Sequence, residues 1–588
     1  MNAIEAQSED VASRVDQLYE FEREPVTPEH FESGRHFAAV YAGEHVAGTE
    51  FVIGALFVTW GAGASDVLWG LIVGNLLAVL SWTLVCAPIA VQTRLTLYWY
   101  LRKIAGPTVT TLYNVLNAIL FCVLSGTMIT VSASAVRIPF GIPAQTNWYP
   151  EDWRFVLLVI GVGAVVVSVA ILGFRRLAQF AEICVPWIFC MFFAGALTML
   201  PALARALPEV GAVNSASDLW TIANEMVWVR RPDSTIGFWH IAAFAWICNL
   251  AFHLGLSDMA LLRYAPKASY GLFSACGMYL GHFLAWICAG VMGAAAAHLL
   301  STPLPELDAG GVAYQALGIS GALAVIIAGW ATSNPTLYRA GLALQAITPG
   351  WPRWVVTLVA GVFTTAIACF PFVFGYLLQF VALFGIVLMP VGTIVLLEHF
   401  LFPRIGWTRY WASLSGNRTN WPALVAWLVA IGASIALVFT GTLDAVFLAI
   451  PIWLLTAAVY LLLCKFQGGP TQQPSDDLPT SQSDTAVGNA RQSDRVSGVD
   501  QPSQQPSPNR PVWLTAVGWL GAITLAVTVA LPVWVLLGSD QYETRLASCH
   551  RWLVWASVIH LVCLTVWVLS KESGSPTPGS DSDRAVTA

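Results

Sequence analysis

Long apolar stretches dominate this chain and restrict it to one class of fold. Of its 588 residues, 57% are hydrophobic and only 11% are charged, whereas soluble domains carry about 25% charged residues. Stretches of about 20 apolar residues follow one another with short connections, and each is long enough to cross a bilayer as a helix. Because unpaired backbone groups are costly in lipid, such stretches must be helical. The sequence therefore predicts an all-α polytopic membrane protein.

Fourteen such stretches are predicted to span the bilayer, twelve in the body of the chain and two near its end. The predicted spans are residues 37–61, 67–92, 108–136, 154–173, 178–201, 236–262, 269–299, 318–346, 353–371, 374–400, 421–441, 444–465, 512–538 and 551–569. Between spans two and three, Leu95–Lys103 mixes aromatic and basic residues. That mixture predicts a separate helix at the membrane interface.

Changes in composition divide the chain into a tail, a core of twelve spans, a linker, two extra spans and a second tail. Their predicted bounds are 1–35, 36–466, 467–511, 512–570 and 571–588. The linker and the last tail are polar and are predicted to be disordered. Loops on the side of the N-terminus carry more Lys and Arg, which places both termini in the cytoplasm. We expect an integral multi-pass protein of the plasma (cell inner) membrane.

Several function classes find no support in the sequence. No basic patch suggests nucleic acid binding, and no cysteine pair has the C-x-x-C spacing. Signature motifs of nucleotide, zinc-protease and serine-hydrolase sites do not occur. The sequence therefore predicts no enzyme activity and no cofactor. The lipid bilayer is an expected partner, and the oligomeric state is not indicated.

A polar interruption in the first span departs from the apolar pattern. Ala42–Glu50 reads A-G-E-H-V-A-G-T-E and places Glu44, His45 and Glu50 within the predicted membrane depth. An ionisable group there costs about 2.5–3.5 kcal/mol on insertion scales. These side chains therefore need ionic partners or a water-filled cavity.

The same pattern recurs in span six. The motif H-x-x-x-[S/T]-[D/E] begins at His45 and again at His253, each time in an apolar segment with Gly nearby. Two related, interrupted segments are typical of transporters built from inverted repeats with two broken helices. Chance similarity is the alternative. The remaining ionisable residues considered within the spans are predicted to be structural or interfacial: Asp258, His282, His298 and His560.

Spans one and six supply the first candidate binding residues. Glu44 and His45 could bind a solute or titrate during transport, or could form a buried structural ion pair. The flexible backbone of Gly43–Gly48 frees carbonyls for a cation. Asn249 and His253 lie four residues apart and share a helix face. An amide beside an imidazole suits a planar heterocycle, although the two could also join neighbouring helices.

Spans eight and three supply the others. Thr332, Ser333 and Asn334 lie together near the centre of span eight, followed by Pro335, which bends the helix. Hydroxyls and freed carbonyls are ligands suited to an alkali cation, but Ser and Thr also join membrane helices. In span three, Asn117 is interpreted as a packing residue that could face the cavity.

Short motifs in the same order connect the chain to a known family. They are Gly54-Ala55, Gly74-Asn-Leu-Leu77, Leu262-Arg-Tyr264, Trp330-Ala-Thr-Ser-Asn334, Leu337-Tyr338, Asn420-Trp-Pro-Ala-Leu-Val-Ala-Trp427 and Tyr460-Leu-Leu-Leu463. Over about 36–466 the chain resembles the nucleobase:cation symporter family, permeases for cytosine, purines, uracil, thiamine, allantoin and hydantoin. The two last spans lie outside the resemblance.

This resemblance implies a leucine-transporter-like fold, a five-plus-five inverted repeat with spans one and six broken. It implies that spans eleven and twelve are peripheral and that solute binds between spans one, three, six and eight. The positions of the family's stacking aromatics fall at Leu120 or Phe121 and at Ala251 or Phe252.

In family members that use sodium, the resemblance places the ion between the span-one break and span eight. Carried over to this chain, its ligands are the carbonyls of Gly43, Val46 and Ala328 and the hydroxyls of Thr332 and Ser333. The chain departs from the family by carrying Ala260 for an acid, Ala331 for a hydroxyl, and the chargeable Glu44 and His45 for uncharged residues. These departures leave the coupling ion open between sodium and a proton.

Taken together, the sequence predicts a cation-coupled secondary transporter of a small polar, nucleobase-like solute, working by alternating access. The predicted solute-binding residues are Glu44, His45, Asn117, Phe121, Asn249, Phe252, His253 and Asn334. The alternatives are a symporter of the same fold for an amino acid or another solute, a transporter-like membrane sensor, and a membrane redox enzyme.

Overall fold

The computed structural model describes residues 21–145, 147–371, 377–467 and 512–572. Within these ranges the chain is helical and contains no β-strand, which confirms the all-α prediction. The predicted linker, the final tail and the first twenty residues lie largely or wholly outside the described residues.

The first half of the chain forms seven helices. They are α1 (Gly34–His45), α2 (Glu50–Thr59), α3 (Ala64–Thr93), α4 (Leu97–Val136), α5 (Trp153–Ile171), α6 (Phe174–Ala206) and α7 (Ala216–Ile222). The rest contributes α8 (Phe238–Ile247), α9 (Leu250–His253), α10 (Met259–Leu262), α11 (Ala268–Leu300), α12 (Ala309–Leu317), α13 (Ile319–Gln345), α14 (Arg353–Ala368), α15 (Leu377–Leu396), α16 (Trp421–Phe439), α17 (Ala449–Phe466), α18 (Val512–Leu536) and α19 (Tyr542–Glu572). Among the described residues, ten helices are long and apolar enough to cross a membrane.

The first predicted span is broken where its polar residues lie. Helix α1 ends at His45, and α2 begins at Glu50. Val46 follows with φ −93° and ψ 63°, outside the helical region. A Cβ on Gly48 would lie 3.3 Å from the backbone nitrogen of Gly329. The small residues therefore let the break lie directly against α13.

Span six is broken at the corresponding place in its motif. Helix α9 ends at His253, and α10 begins at Met259, after the motif's acid. Leu256 adopts a positive φ of 64° within the gap, a conformation that L-residues rarely adopt. A Cβ on Gly392 of α15 would overlap the carbonyl oxygen of Leu254. The two H-x-x-x-[S/T]-[D/E] segments thus occupy equivalent breaks in the two halves.

The predicted interfacial helix at Leu95–Lys103 runs into span three with only a kink between them. Gly106 has φ 77° and ψ 167°, and Pro107 follows it inside the continuous helix α4. Positive φ at a glycine turns the chain without a loop. Asn420 holds this corner, because its side-chain amide donates to the Ile104 carbonyl at 3.0 Å.

Residues 21–33, which we call the N-terminal strap, cross the ends of three helices. The backbone amide of Val26 donates to a carbonyl at the end of α3 at 3.1 Å, and that of Glu32 to one just after α10 at 3.0 Å. The Arg23 guanidinium donates to the Gln345 carbonyl at the end of α13 at 2.8 Å. The strap therefore connects the broken span six with span eight.

The two extra helices pack against the core. Val535 and Tyr542 form a small apolar cluster with Ala202 of α6. The His550 ring nitrogen Nε2 donates to the Ala316 carbonyl of α12 at 3.0 Å. Nothing on α18 or α19 lines the cavity described below.

Truncating the chain after residue 467 is expected to lower its thermal stability and to leave solute binding intact. The truncation exposes the apolar residues of α6 that α18 and α19 cover and removes the hydrogen bond to α12. Each 1 kcal/mol lost lowers the unfolding midpoint by about 2–4 °C. Thermal unfolding of the purified protein, with and without bound solute, measures both. Loss of the solute-induced stabilisation in the truncated chain would contradict this expectation.

Candidate functional site

The two broken helices meet at a small cavity of about 60 Å³. It is lined by Glu44, His45, Thr49, Glu50, Ile53, Leu124, Met128, Cys248, Asn249, Phe252, His282, Thr332, Thr336 and Val381. These residues come from α1, α2, α4, the α8–α9 break, α9, α11, α13 and α15 and from the break between α1 and α2. The location at spans one, three, six and eight agrees with the one that the family resemblance implied.

Four of the predicted solute-binding residues line this cavity: Glu44, His45, Asn249 and Phe252. Asn249 lies in the gap between α8 and α9, with φ −112° and ψ 26°. Because the backbone of Asn249 is not helical, the direction of its side chain is not set by α8 or α9. Phe252 is therefore the aromatic of span six that faces the cavity, and its neighbour Ala251 is buried in the core.

The other four predicted residues do not line the cavity. Phe121 packs behind Phe252, with ring centroids 5.7 Å apart. His253 forms a hydrogen bond within its own span, from Nε2 to the Trp246 carbonyl of α8 at 3.0 Å. Its ring lies 4.9 Å from that of Trp82. The two remaining residues are buried elsewhere in the helix packing: Asn117 and Asn334.

The predicted cation ligands are only partly brought together. The Thr332 hydroxyl lies at the junction, within 3.1 Å of the Glu44 carbonyl and 3.3 Å of the Ala328 carbonyl. The Ser333 hydroxyl points the other way and hydrogen bonds to Ser125 of α4 at 2.6 Å. The junction therefore has one hydroxyl rather than the two that the sequence predicted.

The predicted backbone ligands come from both sides of the break between α1 and α2. Gly43 and Val46 lie at the end of α1, and Ala328 lies in α13. Gly43 lies inside α1, where a Cβ would lie 3.3 Å from that of Ala181 in α6. The Val46 amide donates to the Ala42 carbonyl at 2.7 Å, which closes the last turn of α1. The roles of the Gly43, Val46 and Ala328 carbonyls as sodium ligands stay a prediction.

A buried arginine joins both broken helices to α13. Arg339 is fully buried and forms an ion pair with both carboxylate oxygens of Glu44, one of them at 3.1 Å. It also forms an ion pair with Asp258 at 2.5 Å. Asp258 also accepts a hydrogen bond from the Trp82 indole at 2.5 Å. The Phe252 ring lies 4.8 Å from the guanidinium carbon and separates it from the cavity.

A second polar group surrounds Glu50 at the start of α2. The Glu50 carboxylate accepts hydrogen bonds from the Trp286 indole and from the Thr49 hydroxyl at 3.2 Å. The His282 nitrogen Nε2 lies 3.7 Å from the same carboxylate. On the other side of that ring, Nδ1 lies 3.3 Å from the Asn249 side-chain nitrogen. The chain Asn249–His282–Glu50 thus runs from the cavity lining into α2.

Arg339 behind the cavity, and His282 and Thr336 in its lining, could not be assigned to the site from the sequence, and Glu50 had no predicted role. Arg339 carried a signal, because a lone arginine in an apolar span needs a buried carboxylate. His282 lies in a segment of π-helix within α11, and such segments are frequent at functional sites. The spacing of residues in the sequence does not predict this π-helical segment.

An apolar cavity of about 200 Å³ adjoins the polar one. Cys248 and Val381 line both cavities. The larger cavity is otherwise lined by apolar residues of α8, α9, α15 and α17. Residues just after α2 and just before α17 complete it, together with Ser434 of α16. A solute in the polar cavity would therefore have an apolar neighbour on one side.

Two helices broken at equivalent motifs, with a cavity between them, are the arrangement of the leucine-transporter-like fold. Comparison with solved structures confirms this fold. The nucleobase-cation-symport-1 family transporter Mhp1, closed with bromovinylhydantoin bound, aligns with a TM-score of 0.61 and 16% identity over 78% of this chain and 98% of that chain.

Two further structures share the fold. A Na+-coupled sialic acid symporter in a substrate-bound outward-open state aligns with a TM-score of 0.54 and 15% identity, over 79% of this chain and 97% of that chain. Inward-facing Mhp1 aligns with a TM-score of 0.55 and 19% identity, over 75% and 93%. No protein-family model and no curated protein matches the sequence.

Proposed function

We propose that this protein is a cation-coupled secondary transporter that carries a small, polar, nucleobase-like solute across a cell membrane by alternating access. Two broken helices around a membrane-embedded cavity support transport, because this arrangement exposes backbone groups to a solute at mid-membrane depth. The neighbours of the same fold are themselves named as symporters. The proposed solute contacts are Glu44, His45, Asn249 and Phe252.

The proposed solute class rests mainly on the charge of the residues that line the cavity. Glu44 and Glu50 line the cavity, and no Lys or Arg of the described chain does so. Arg339 is held by two carboxylates and lies behind Phe252. A solute with a carboxylate would find no free cation here, which disfavours an amino acid. A neutral ring with N–H donors can bind these acceptors.

The ring geometry supports the same solute class. Phe252 offers a flat apolar face, and Asn249 offers both a carbonyl and an amide at one edge of the cavity. A planar heterocycle that stacks on an aromatic ring and pairs with an amide uses both groups. The adjoining apolar cavity could accept a small substituent on such a ring.

A thermal-shift screen of purified protein tests the proposal. Nucleobases, hydantoins and amino acids are each added with and without sodium, and at two pH values. A bound solute stabilises the folded state by mass action, by about 2.7 kcal/mol at one hundred times its dissociation constant. Stabilisation by nucleobases or hydantoins supports the proposal. Stabilisation by amino acids alone would replace it with the rival symporter.

Replacing Asn249 with alanine is expected to weaken solute binding at least tenfold, because the ring loses its amide partner and about 1.4 kcal/mol corresponds to tenfold in affinity. The measurement is the solute concentration needed for half-maximal thermal shift. Asn75 is the matched control, since it is a buried asparagine of α3 that does not line the cavity. Equal weakening by Asn249→Ala and Asn75→Ala would remove Asn249 from the site.

A further inference from the structure

Glu50 is a buried carboxyl group to which its surroundings offer neutral hydrogen bond donors. Glu50 is 2% exposed. Its contacts are the Trp286 indole N–H, the Thr49 hydroxyl and His282. A buried carboxylate without a cation is costly in a medium of low dielectric constant. Such a group gains stability when it binds a positive charge.

We propose that Glu50 and His282 together bind the coupling proton, and that Asn249 passes their protonation state to the solute. This inference rests on the proposed transport function and specifies its coupling ion. The Ser333 hydroxyl supports a proton over sodium, because it bonds to Ser125 and leaves one of the two predicted hydroxyls at the junction.

The neighbouring charged groups leave Glu50 as the carboxylate without a cation. The titratable and charged groups that surround the pair on the packed helices are Glu44, His45, Cys248, His253, Asp258 and Arg339. Glu44 and Asp258 both contact the guanidinium of Arg339. The His45 ring packs at 4.9 Å from that of His282, edge to face. Its Nδ1 contacts the Tyr41 carbonyl at 2.7 Å, which directs its hydrogen bond away from Glu50.

The contacts on the two sides of the His282 ring, a hydrogen bond at Nδ1 and an ionic contact at Nε2, indicate its proton position. The Asn249 amide nitrogen can only donate, so Nδ1 accepts and the ring proton lies on Nε2, facing Glu50. In this state the pair carries one negative charge. One added proton makes the pair neutral overall, either as carboxylate and imidazolium or as carboxylic acid and imidazole. The proton comes from water on one side and leaves to water on the other.

Protonation at Nδ1 would change what the cavity offers to a solute. A protonated Nδ1 donates, so the Asn249 amide must turn its carbonyl oxygen toward the ring. The amide NH2 then faces the cavity, where the carbonyl faced it before. A solute group that accepts from NH2 binds the protonated state better. This difference in affinity is what allows a proton gradient to drive accumulation.

The transport test uses full-length protein in liposomes without sodium, with radiolabelled uracil as the probe. With an inward proton gradient, wild type is expected to accumulate uracil above equilibrium, and a protonophore to abolish this. Glu50→Gln and His282→Gln are expected to lose proton-driven accumulation at least tenfold, and the uptake that remains is expected not to respond to the protonophore. Accumulation by Glu50→Gln equal to wild type, or accumulation driven only by sodium, would overturn the inference.

Glu398→Gln is the matched control. Glu398 is also fully buried, and it accepts hydrogen bonds from the Tyr460 hydroxyl at 2.5 Å and the Tyr410 amide at 3.0 Å. It does not line the cavity. Glu398→Gln is expected to keep proton-driven accumulation, which separates coupling from general loss of a buried carboxyl group. If Glu398→Gln and Glu50→Gln both lose proton-driven accumulation, the assignment of Glu50 as the proton site is contradicted.

A second measurement does not depend on the solute. Thermal unfolding of sodium-free wild type and Glu50→Gln is followed from about pH 5 to about pH 9. Wild type acquires a buried charge as the pair loses its proton, and the glutamine variant does not. The midpoint of wild type is therefore expected to fall relative to the variant by about 3 °C or more as pH rises. A difference that stays constant with pH would overturn the proton site. If uracil neither binds nor exchanges, the solute assignment fails and this measurement decides the proton site alone.

Discussion

Replacing Arg339 with glutamine is expected to destabilise the folded protein by about 3–5 kcal/mol, because two buried carboxylates lose their shared cation. Arg339 is fully buried and contacts Glu44 and Asp258, one in each broken helix. The purified variant should unfold at a markedly lower temperature than wild type, and solute-induced stabilisation should be lost. An unchanged unfolding temperature would show that the ion pairs make no net contribution to stability.

Two further variants isolate the cause. The triple variant Arg339→Gln, Glu44→Gln and Asp258→Asn removes all three charges at once, so it should recover most of the lost stability. Arg154→Gln removes an exposed arginine that pairs with Asp152 near the start of α5. An exposed pair contributes about 0–1 kcal/mol, so this variant should unfold almost as wild type does. A triple variant as unstable as Arg339→Gln would point to lost packing instead of unpaired charge.

Replacing Gly281 with alanine is expected to destabilise the protein by at least about 2 kcal/mol and to disrupt the cavity. A Cβ at Gly281 would overlap the carbonyl oxygen of His45, the last residue of α1. Backbone cannot swing aside as a side chain does, so α11 and α1 must separate. His282, the next residue, would move with α11. Thermal unfolding and the solute-induced shift measure both effects.

Gly161→Ala is the control for this variant. Gly161 also lies within a helix, α5, and a Cβ there meets nothing within 4 Å. Alanine favours helix over glycine by about 1 kcal/mol, so this variant should be as stable as wild type or more so. If the two alanine variants behave alike, close packing of α11 on α1 is not the reason for glycine at 281.

The breaks in the fold could be predicted because their cause is local. Charged side chains and glycines within an apolar run cannot continue an ordinary membrane helix. The same motif begins at His45 and at His253, and so it indicated both breaks. Every predicted span has a counterpart helix among those described. The kink at Gly106 was not foreseen, because a loop and a glycine turn look alike in the sequence.

The site could be predicted only in part, because its contacts join distant segments. Arg339 lies 295 residues from Glu44 and 81 from Asp258, and no local pattern reports such a pair. For neighbouring residues of one helix, the rotation of the helix about its axis determines which side chain faces the cavity. Ser333 adjoins Thr332 in sequence, yet the two hydroxyls bond to different helices. The roles of the cavity residues stay predictions until the proposed variants are measured.

The N-terminal strap has a practical consequence for work with fusion proteins. Its hydrogen bonds reach the ends of α3 and α13 and the turn after α10, so any cycle that parts these helices on that side must release some of them. In the proposed transport cycle, a domain fused ahead of the strap pulls on a segment whose hydrogen bonds must be released. A tag placed after α19 joins helices that pack beside α6 and α12. Transport rates measured with tags at opposite ends of the chain are therefore not interchangeable.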